Sequence, residues 1–509
     1  MSLTRRARLL TPALVFSLLP AYGFVAVDLP AAGGSPATDP ATKSDNIQHV
    51  ANVSFAEFEG ERSSGTDLEF ATLVVDHDGE AETAAVERTF VFAGSYQKGL
   101  QIIDVTDPAE PVRAAIYDCA ISQGDVQVFQ RDGGTFVTYT HDNGYGAGTD
   151  SACYLDAERL GHFDGATTAG TFIADVSDPY DPTTVAFVPL PKGSHNQTVH
   201  PSGRYLYNSN SELINNAQNA GIEIIDITHL DAPVVLDTLE LPVRPGLGTD
   251  SHDLTFSQDG TRAYSAALSQ TVIIDTEAPA APEVITSFVD PAINVEHQAN
   301  PITLTDPRYG TKDFLIVEDE FAGAAGAEQS CPSGGVHVYD ITDEKLPVKV
   351  GYWNIDDFTT TKVVGAGSGN RCTAHVFELH EDEALMTIAF YALGVSVVDL
   401  SSLVGIAFGA TGVGMQEVAY AEFDDSDTWA VKAPSVDRNG TFHIYGNDQI
   451  RGLDVYEVTL ALDPVTDPAA LSVGTGRDAW LSPLEADRLL IGRELPADYE
   501  PYCLLGDAR

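Results

Sequence analysis

His195, His252 and His375 each stand eight residues ahead of the residue that closes a tight turn, at Gly203, Gly260 and Glu383, and Asp125 stands in the same relation to Gly133. His297 joins this series by analogy, because the hairpin after it turns irregularly at Asp306-Pro307. Neutral imidazole nitrogen suits Cu, Fe, Zn and Mn, and a neighbouring carboxylate is a common companion ligand or base. The matching places in the other units are Thr66 and Lys432. A residue that merely belonged to a repeat consensus would recur all the way round. The break at Thr66, Asp125 and Lys432 instead marks out a local transition-metal site of His195, His252, His297 and His375, with Asp125 and Lys432 as the groups for proton transfer. The competing reading, in which histidine is a repeat residue bonding backbone in each unit, stays open.

Convergence of those residues requires a repeating scaffold, and the chain has one. GLQIIDVTDP from Gly99, GTFIADVSDP from Gly170, GIEIIDITHL from Gly221, TVIIDTEAP from Thr271, GVHVYDITDE from Gly335, GVSVVDLSSL from Gly394 and GLDVYEV from Gly452 are copies of one phrase. Each is a β-branched run ended by turn residues whose side chains bond local backbone. A further strand follows each phrase except the last, and a hairpin such as SQDG at Ser257 to Gly260 precedes it. Four short strands per unit, repeated radially, predict an all-β fold, a seven-bladed β-propeller. The seventh unit lacks its fourth strand, and Ile47 to Phe55 has the length and alternation to supply it beside Leu453 to Val458. The domain boundaries expected are 1–35 for a signal segment, 47–458 for the propeller and 459–509 for a tail packed on its outside.

The phrases GLQIIDVTDP, GIEIIDITHL and GVSVVDLSSL resemble the LVIVD-repeat family of exported bacterial and archaeal propellers, over residues 47–458. The resemblance implies fold and export, and it assigns no activity, since propellers host many. By architecture alone, axial histidines are similar to those of carotenoid-cleaving oxygenases and copper-containing selenium-binding propellers, whose sequence motifs are absent here.

In a propeller, the fourth-to-first and second-to-third connections share one face, the top. Cys119 and Cys153 fall in two such connections, as do Cys331 and Cys372, so the expected disulfides are Cys119 with Cys153 and Cys331 with Cys372; Cys503 is unassigned. A thiolate metal site is the weaker alternative, because no C-x-x-C spacing occurs. The longest insertions, Thr140 to Gly170 and Glu318 to Gly334, lie on the same face, where binding usually resides. His141, Asp142, Glu318, Asp319, Tyr391, Asp448 and Arg451, at second-strand ends, are candidates for an outer layer holding the histidines.

With Lys+Arg 27 against Asp+Glu 75, the net charge of -48 disfavours nucleic acid and anionic lipid as partners. Arg5, Arg6 and Arg8, the apolar run from Leu9 to Val27 and the small residues after it read as an export signal, with an uncleaved anchor as the other reading. Secreted, periplasmic or cell-surface location follows. No P-loop, dinucleotide fingerprint, G-x-S-x-G or H-E-x-x-H motif is present, and turns such as Asp76-His77-Asp78-Gly79 lack a full set of calcium ligands. Two functions remain: a metalloprotein acting on a small or extracellular ligand that enters from the top, and a non-catalytic surface module binding protein or glycan through its top loops.

Overall fold

The computed structural model describes residues 34–462 and 478–480, apart from 59, 80, 143–145, 211–219, 245–246, 321–333, 356–371 and 410–413. Its strands form seven antiparallel sheets, each with four successive strands or their equivalent. The first strands of the blades are Gly65–His77, Gln123–Arg131, Asn196–Val199, Asp253–Phe256, Glu296–Asp306, Phe377–His380 and Thr428–Lys432. Each first strand touches that of the next blade all the way round, which makes them the wall of a central channel. The protein is therefore a seven-bladed β-propeller. The ring closes as the pattern predicts: Ile47–Val53 pairs antiparallel with the strand Gly452–Thr459, from Ile47 against Val458 to Val53 against Leu453.

The recurrent phrase is the third strand of each blade, and its alternation accounts for the core. Ile224 packs toward blade four and Ile225 toward blade two, while in blade four Ile273 faces blade five and Ile274 faces blade three. Successive residues of a strand point to opposite faces, so an unbroken apolar run fits only a strand buried on both sides. The buried apolar residues accordingly fall into seven clusters, each between two adjacent blades. At about 1.5–3 kcal/mol for each fully buried large side chain, these interblade seams are what hold the ring together.

The turn chemistry repeats as well. Asp104, Asp175, Asp226, Asp275, Asp340 and Asp399 each accept the backbone N–H two residues on, at 2.7–3.0 Å. Every blade also carries a bulge where its last two strands pair, for example between Ile102 and Ile103 or Ile173 and Ala174, which adds local twist.

Three outer edges gain a fifth strand that the repeat pattern does not contain: Ser35–Pro36 on blade seven, Thr42–Lys43 on blade six and Asp478–Trp480 on blade five. The last of these lies in the tail expected after the propeller, and it pairs with the outer strand Val348–Ile355 of blade five. Cys119 and Cys153 are disulfide-bonded with Cα atoms 5.2 Å apart, placing both connections on one face. The second of them contains the helix Ala152–Leu160, ended by Gly161 in the left-handed region at φ 82°. Cys372 is buried and disulfide-bonded, whereas Cys331 and Cys503 lie outside the described residues, as do residues 1–33, where the export signal is expected. No helix among the described residues is long and apolar enough to cross a membrane.

Candidate metal centre

Each histidine sits where a first strand begins. His195 N–H donates to Ser209 O, His252 N–H to Ala266 O and His375 N–H to Ala389 O, at 2.7–2.9 Å, while His297 occupies a bulge between Glu296 and Gln298. Because equivalent positions on adjacent blades face one axis, the four rings meet in an arc. Their centroids are 4.5 Å apart for His195 and His252, 4.0 Å for His252 and His297, and 4.4 Å for His297 and His375. All four are at most 2% exposed.

The outer nitrogens fix which way the lone pairs point. His252 Nδ1 lies 3.1 Å from His297 O and His375 Nδ1 lies 2.6 Å from Trp429 O; a carbonyl only accepts, so each Nδ1 carries the hydrogen. His195 Nδ1 is 3.1 Å from both carboxylate oxygens of Asp142. These partners leave Nε2 of His195, His252 and His375 as inward acceptors, the tautomer a metal ligand needs. His297 differs. Its Nδ1 is 2.8 Å from Glu318 Oε2, yet neither atom has a hydrogen-bond partner among the described residues, so the two are close without being aligned.

His195 Nε2 and His252 Nε2 approach to 3.0 Å, although with Nδ1 protonated each presents a lone pair. Two nitrogens about 2.1 Å from one ion and about 90° apart would be about 3.0 Å from each other, so this close approach has the spacing of a chelating pair. Gln123 Nε2 also approaches His195 Nε2, at 3.3 Å.

The tightest convergence is a set of three, His252, His297 and Glu320, whose donor atoms all lie within 4.8 Å of one another. Two imidazoles and a carboxylate are a donor set that holds Fe or Zn with open positions. His195 and His375 flank it, His375 Nε2 lying 3.8 Å from Glu320 Oε1. Tyr391 donates to that same oxygen at 2.7 Å from a backbone held at φ 45°, a conformation unusual for a bulky residue. Burial, followed by the neighbouring imidazoles, holds His252 and His297 well below the ordinary imidazole range, which keeps their nitrogens neutral. Burial, with Glu320 and Asp319 adding to it, pushes the Glu318 carboxyl well above its usual range.

Glu320 escaped the sequence reading, which stopped at Glu318 and Asp319. It is the residue just past the strand Gly310–Asp319, anchored by its N–H to Val295 O at 3.1 Å, so it reads as loop. Gln123 was missed for a related reason: its φ of 83° turns it into the channel two residues before Asp125, the position that the turn count aligned, and a bulge between Gln123 and Val126 puts that count out of step. Among the outer-layer candidates, Asp142, Glu318 and Tyr391 meet the centre. Asp319 instead accepts from the Asn294 and Val295 backbone, His141 from Ser122 N–H, and Asp448 from Asp427, Ile450 and Arg451 N–H, while Arg451 pairs with Asp454.

Lys432 corrects the alignment. In blade seven Thr428 pairs with Asp448 and Ala430 with Asn447, which leaves Trp429 in the bulge that His297 occupies in blade five. Trp429 is thus the axial counterpart of the histidines. The first connection of blade seven spans 433–440, against 200–204 and 257–261 in blades three and four, so counting back from its turn lands three residues too far along. Lys432 Nζ sits lower in the channel, 2.9 Å from Asp67 Oδ1 and 2.8 Å from Glu69 Oε1. Burial pulls its pKa down, but Asp67 and Glu69 outweigh that and hold it well above the usual range. Thr66 points between blades, its hydroxyl donating to Gly124 O at 2.9 Å.

Asp125 and Lys432 share with His297 and His375 the wall of one cavity of about 210 Å³. The cavity follows the first strands past the histidines, through Thr198, Thr255, Asn300 and Glu378, toward the face of the short hairpin turns. The histidines stand at its upper end. Asp125 Oδ2 accepts Gln197 N–H at 3.0 Å, and burial together with Asp67 and Asp253 pushes its carboxyl well above the ordinary range.

No protein-family model and no curated protein matches this chain. Among solved structures it is similar to the β-propeller domain of Cps50 (Swd1) from Myceliophteria thermophila, at 12% identity over 80% of this chain and 99% of that one, with a TM-score of 0.43. A protein of unknown function from Desulfotomaculum acetoxidans is similar at 13% identity over 71% and 87% of the two chains, with a TM-score of 0.40. A protein from Lactobacillus plantarum matches at 11% identity over 78% and 97%, with a TM-score of 0.39. The propeller assignment rests on the sheet order itself, and the chemistry of the site rests on this chain's own residues.

Proposed function

We propose that the chain is an exported metalloprotein of the LVIVD-repeat type, holding one transition-metal ion on His252, His297 and Glu320 at the upper end of the central channel. The observation that carries this reading is the convergence of those three buried side chains within 4.8 Å, with the ligand tautomer of His252 set by a backbone carbonyl. His195 and His375 complete or gate the coordination sphere, Asp142 and Tyr391 orient it through hydrogen bonds, and Glu318 stands 2.8 Å from His297 Nδ1. The donor set is compatible with Fe, Zn, Cu or Mn. A position left open toward the cavity makes the centre a metalloenzyme for a small ligand, with Asp125 available for proton transfer, whereas Lys432 is held as an ammonium by Asp67 and Glu69. Export rests on the N-terminal pattern and on the Cys119–Cys153 bond, which belongs to an oxidising compartment.

Elemental analysis of untagged protein, as purified and after reconstitution, tests the reading. About one equivalent of a transition metal per chain is expected, falling sharply in His297→Ala. No stoichiometric metal under either condition transfers the weight to a surface-binding module. That second reading is favoured by Leu155 and Leu160, 53% and 47% exposed on the disulfide-held helix of the top face.

A further inference from the structure

Below the histidines the channel is lined by acids that a metal ion does not use. Asp125, Asp253 and Glu378 enter it from blades two, four and six. Each has one oxygen tied to a backbone N–H, from Gln197 at 3.0 Å, Leu254 at 2.7 Å and Ala433 at 2.8 Å, and the second oxygen of each accepts no hydrogen bond among the described residues. Asp125 is only 9% exposed, so its second oxygen is both withdrawn from bulk solvent and turned to the cavity. A buried acceptor left in that state is costly unless something in the cavity meets it.

We propose that this chamber binds a small organic ammonium ion, and that, resting on the metal reading above, this cation is the substrate brought to the metal. Lys432 is the protein's own example of the interaction, an ammonium seated between Asp67 and Glu69 on the same wall. Lys432 shares its single positive charge between Asp67 and Glu69, and among the described residues Asp125, Asp253 and Glu378 have no Lys or Arg partner, while His380, 3.4 Å from Glu378, is kept uncharged by burial. An anionic ligand finds no Lys or Arg on that wall beyond Lys432, which is already paired. A bare metal ion is also a poor fit, since among the described residues the only three donor groups within 4.8 Å of one another are His252, His297 and Glu320. The acids are spread as a molecule-sized cage. A cavity of 150 Å³ holds benzene, so about 210 Å³ takes a ligand of roughly eight to ten heavy atoms, the size of a short amine.

Calorimetric titration with 1,4-diaminobutane, 1,4-butanediol and succinate separates charge from shape, because the three probes have nearly the same length. The diamine is expected to bind and the diol and dicarboxylate to give no saturable heat. Asp125→Asn keeps an acceptor for Gln197 N–H, and both it and Glu378→Gln are expected to weaken the diamine by about ten-fold or more, the loss of one charge-assisted contact. Equal binding of the diol, absence of diamine binding, or unchanged affinity in both folded variants overturns the proposal. Each titration is run on metal-stripped and metal-loaded protein. Diamine binding in a chain that takes up no metal leaves the chamber standing and removes the metal reading, whereas metal uptake without diamine binding removes the chamber alone.

Discussion

The same seven axial positions are used in two ways. Across blades three to six they hold His195, His252, His297 and His375, whose outer nitrogens are engaged or approached and whose inner ones converge. Across blades seven, one and two they hold Trp429, Thr66 and Gly124, which join blade to blade. The Trp429 carbonyl accepts from His375, the Thr66 hydroxyl donates to Gly124 O, and a Cβ on Gly124 would lie 3.0 Å from Thr66 Oγ1 and 3.1 Å from the Tyr139 hydroxyl. A ring of equivalent sites therefore does not imply a ring of equivalent chemistry. One arc is packed for cohesion, and the other gives up apolar packing to concentrate polar groups in a buried place.

That division is broken most directly by removing a ligand from the chemical arc. His297→Ala is expected to lose nearly all bound metal while retaining the far-ultraviolet dichroism of the folded ring, since the seven hydrophobic seams lie between blades and not at the axis. Asp142→Asn, which acts through His195 Nδ1, is expected to weaken metal affinity by about 10–100-fold. Full metal retention in His297→Ala would return the histidines to channel lining.

The cohesive arc should give the opposite result. Cys119 and Cys153 staple the top of blades one and two across 34 residues of sequence. Replacing both with Ala is expected to lower stability by about 2–4 kcal/mol in chemical denaturation, with metal content unchanged. Thr66→Val removes one buried hydroxyl and strands Gly124 O, for an expected loss of about 1 kcal/mol and again no change in metal. A metal deficit in either protein would mean that the two arcs are coupled.

The fold was legible because the repeat phrase is long, apolar and punctuated by aspartate turns, and every copy obeys the same pairing. The closing strand was legible for the same reason, since Ile47–Val53 alternates to match an incomplete blade. Three of the four histidines, His195, His252 and His375, were legible from their distance to a turn of constant length, and His297 only by analogy with them. That ruler failed where the connection lengthened, at Lys432, and where strands bulge, at Gln123 and Asp125. Glu320 was hidden because no local period marks a residue that leaves a strand and folds back over the axis. The fifth strands were equally silent, being two or three residues long and set by the edge they cover.

The smallest expected effect lies on the border between the arcs, in the acid chamber. Burial, followed by the nearby Glu69, pushes the Glu378 carboxyl up to about 8 from an ordinary 4.5. Lys432 opposes the shift, as does Ala433 N–H, while His380 Nε2 lies 3.4 Å away. A carboxyl with a raised folded pKa binds its proton more tightly in the native state than in the unfolded chain. Its contribution is therefore fully present below about pH 4.5 and is lost as pH rises through about 8. The side chain is 30% exposed, so solvent screening reduces the effect to the order of 1 kcal/mol. Melting temperature followed between pH 5 and pH 9 is expected to decline in the native protein and to decline less in Glu378→Gln, whose amide stays neutral throughout. An unchanged slope in that variant would mean that the acid strain of the chamber resides in Asp125 and Asp253, on the blades nearest the first two histidines.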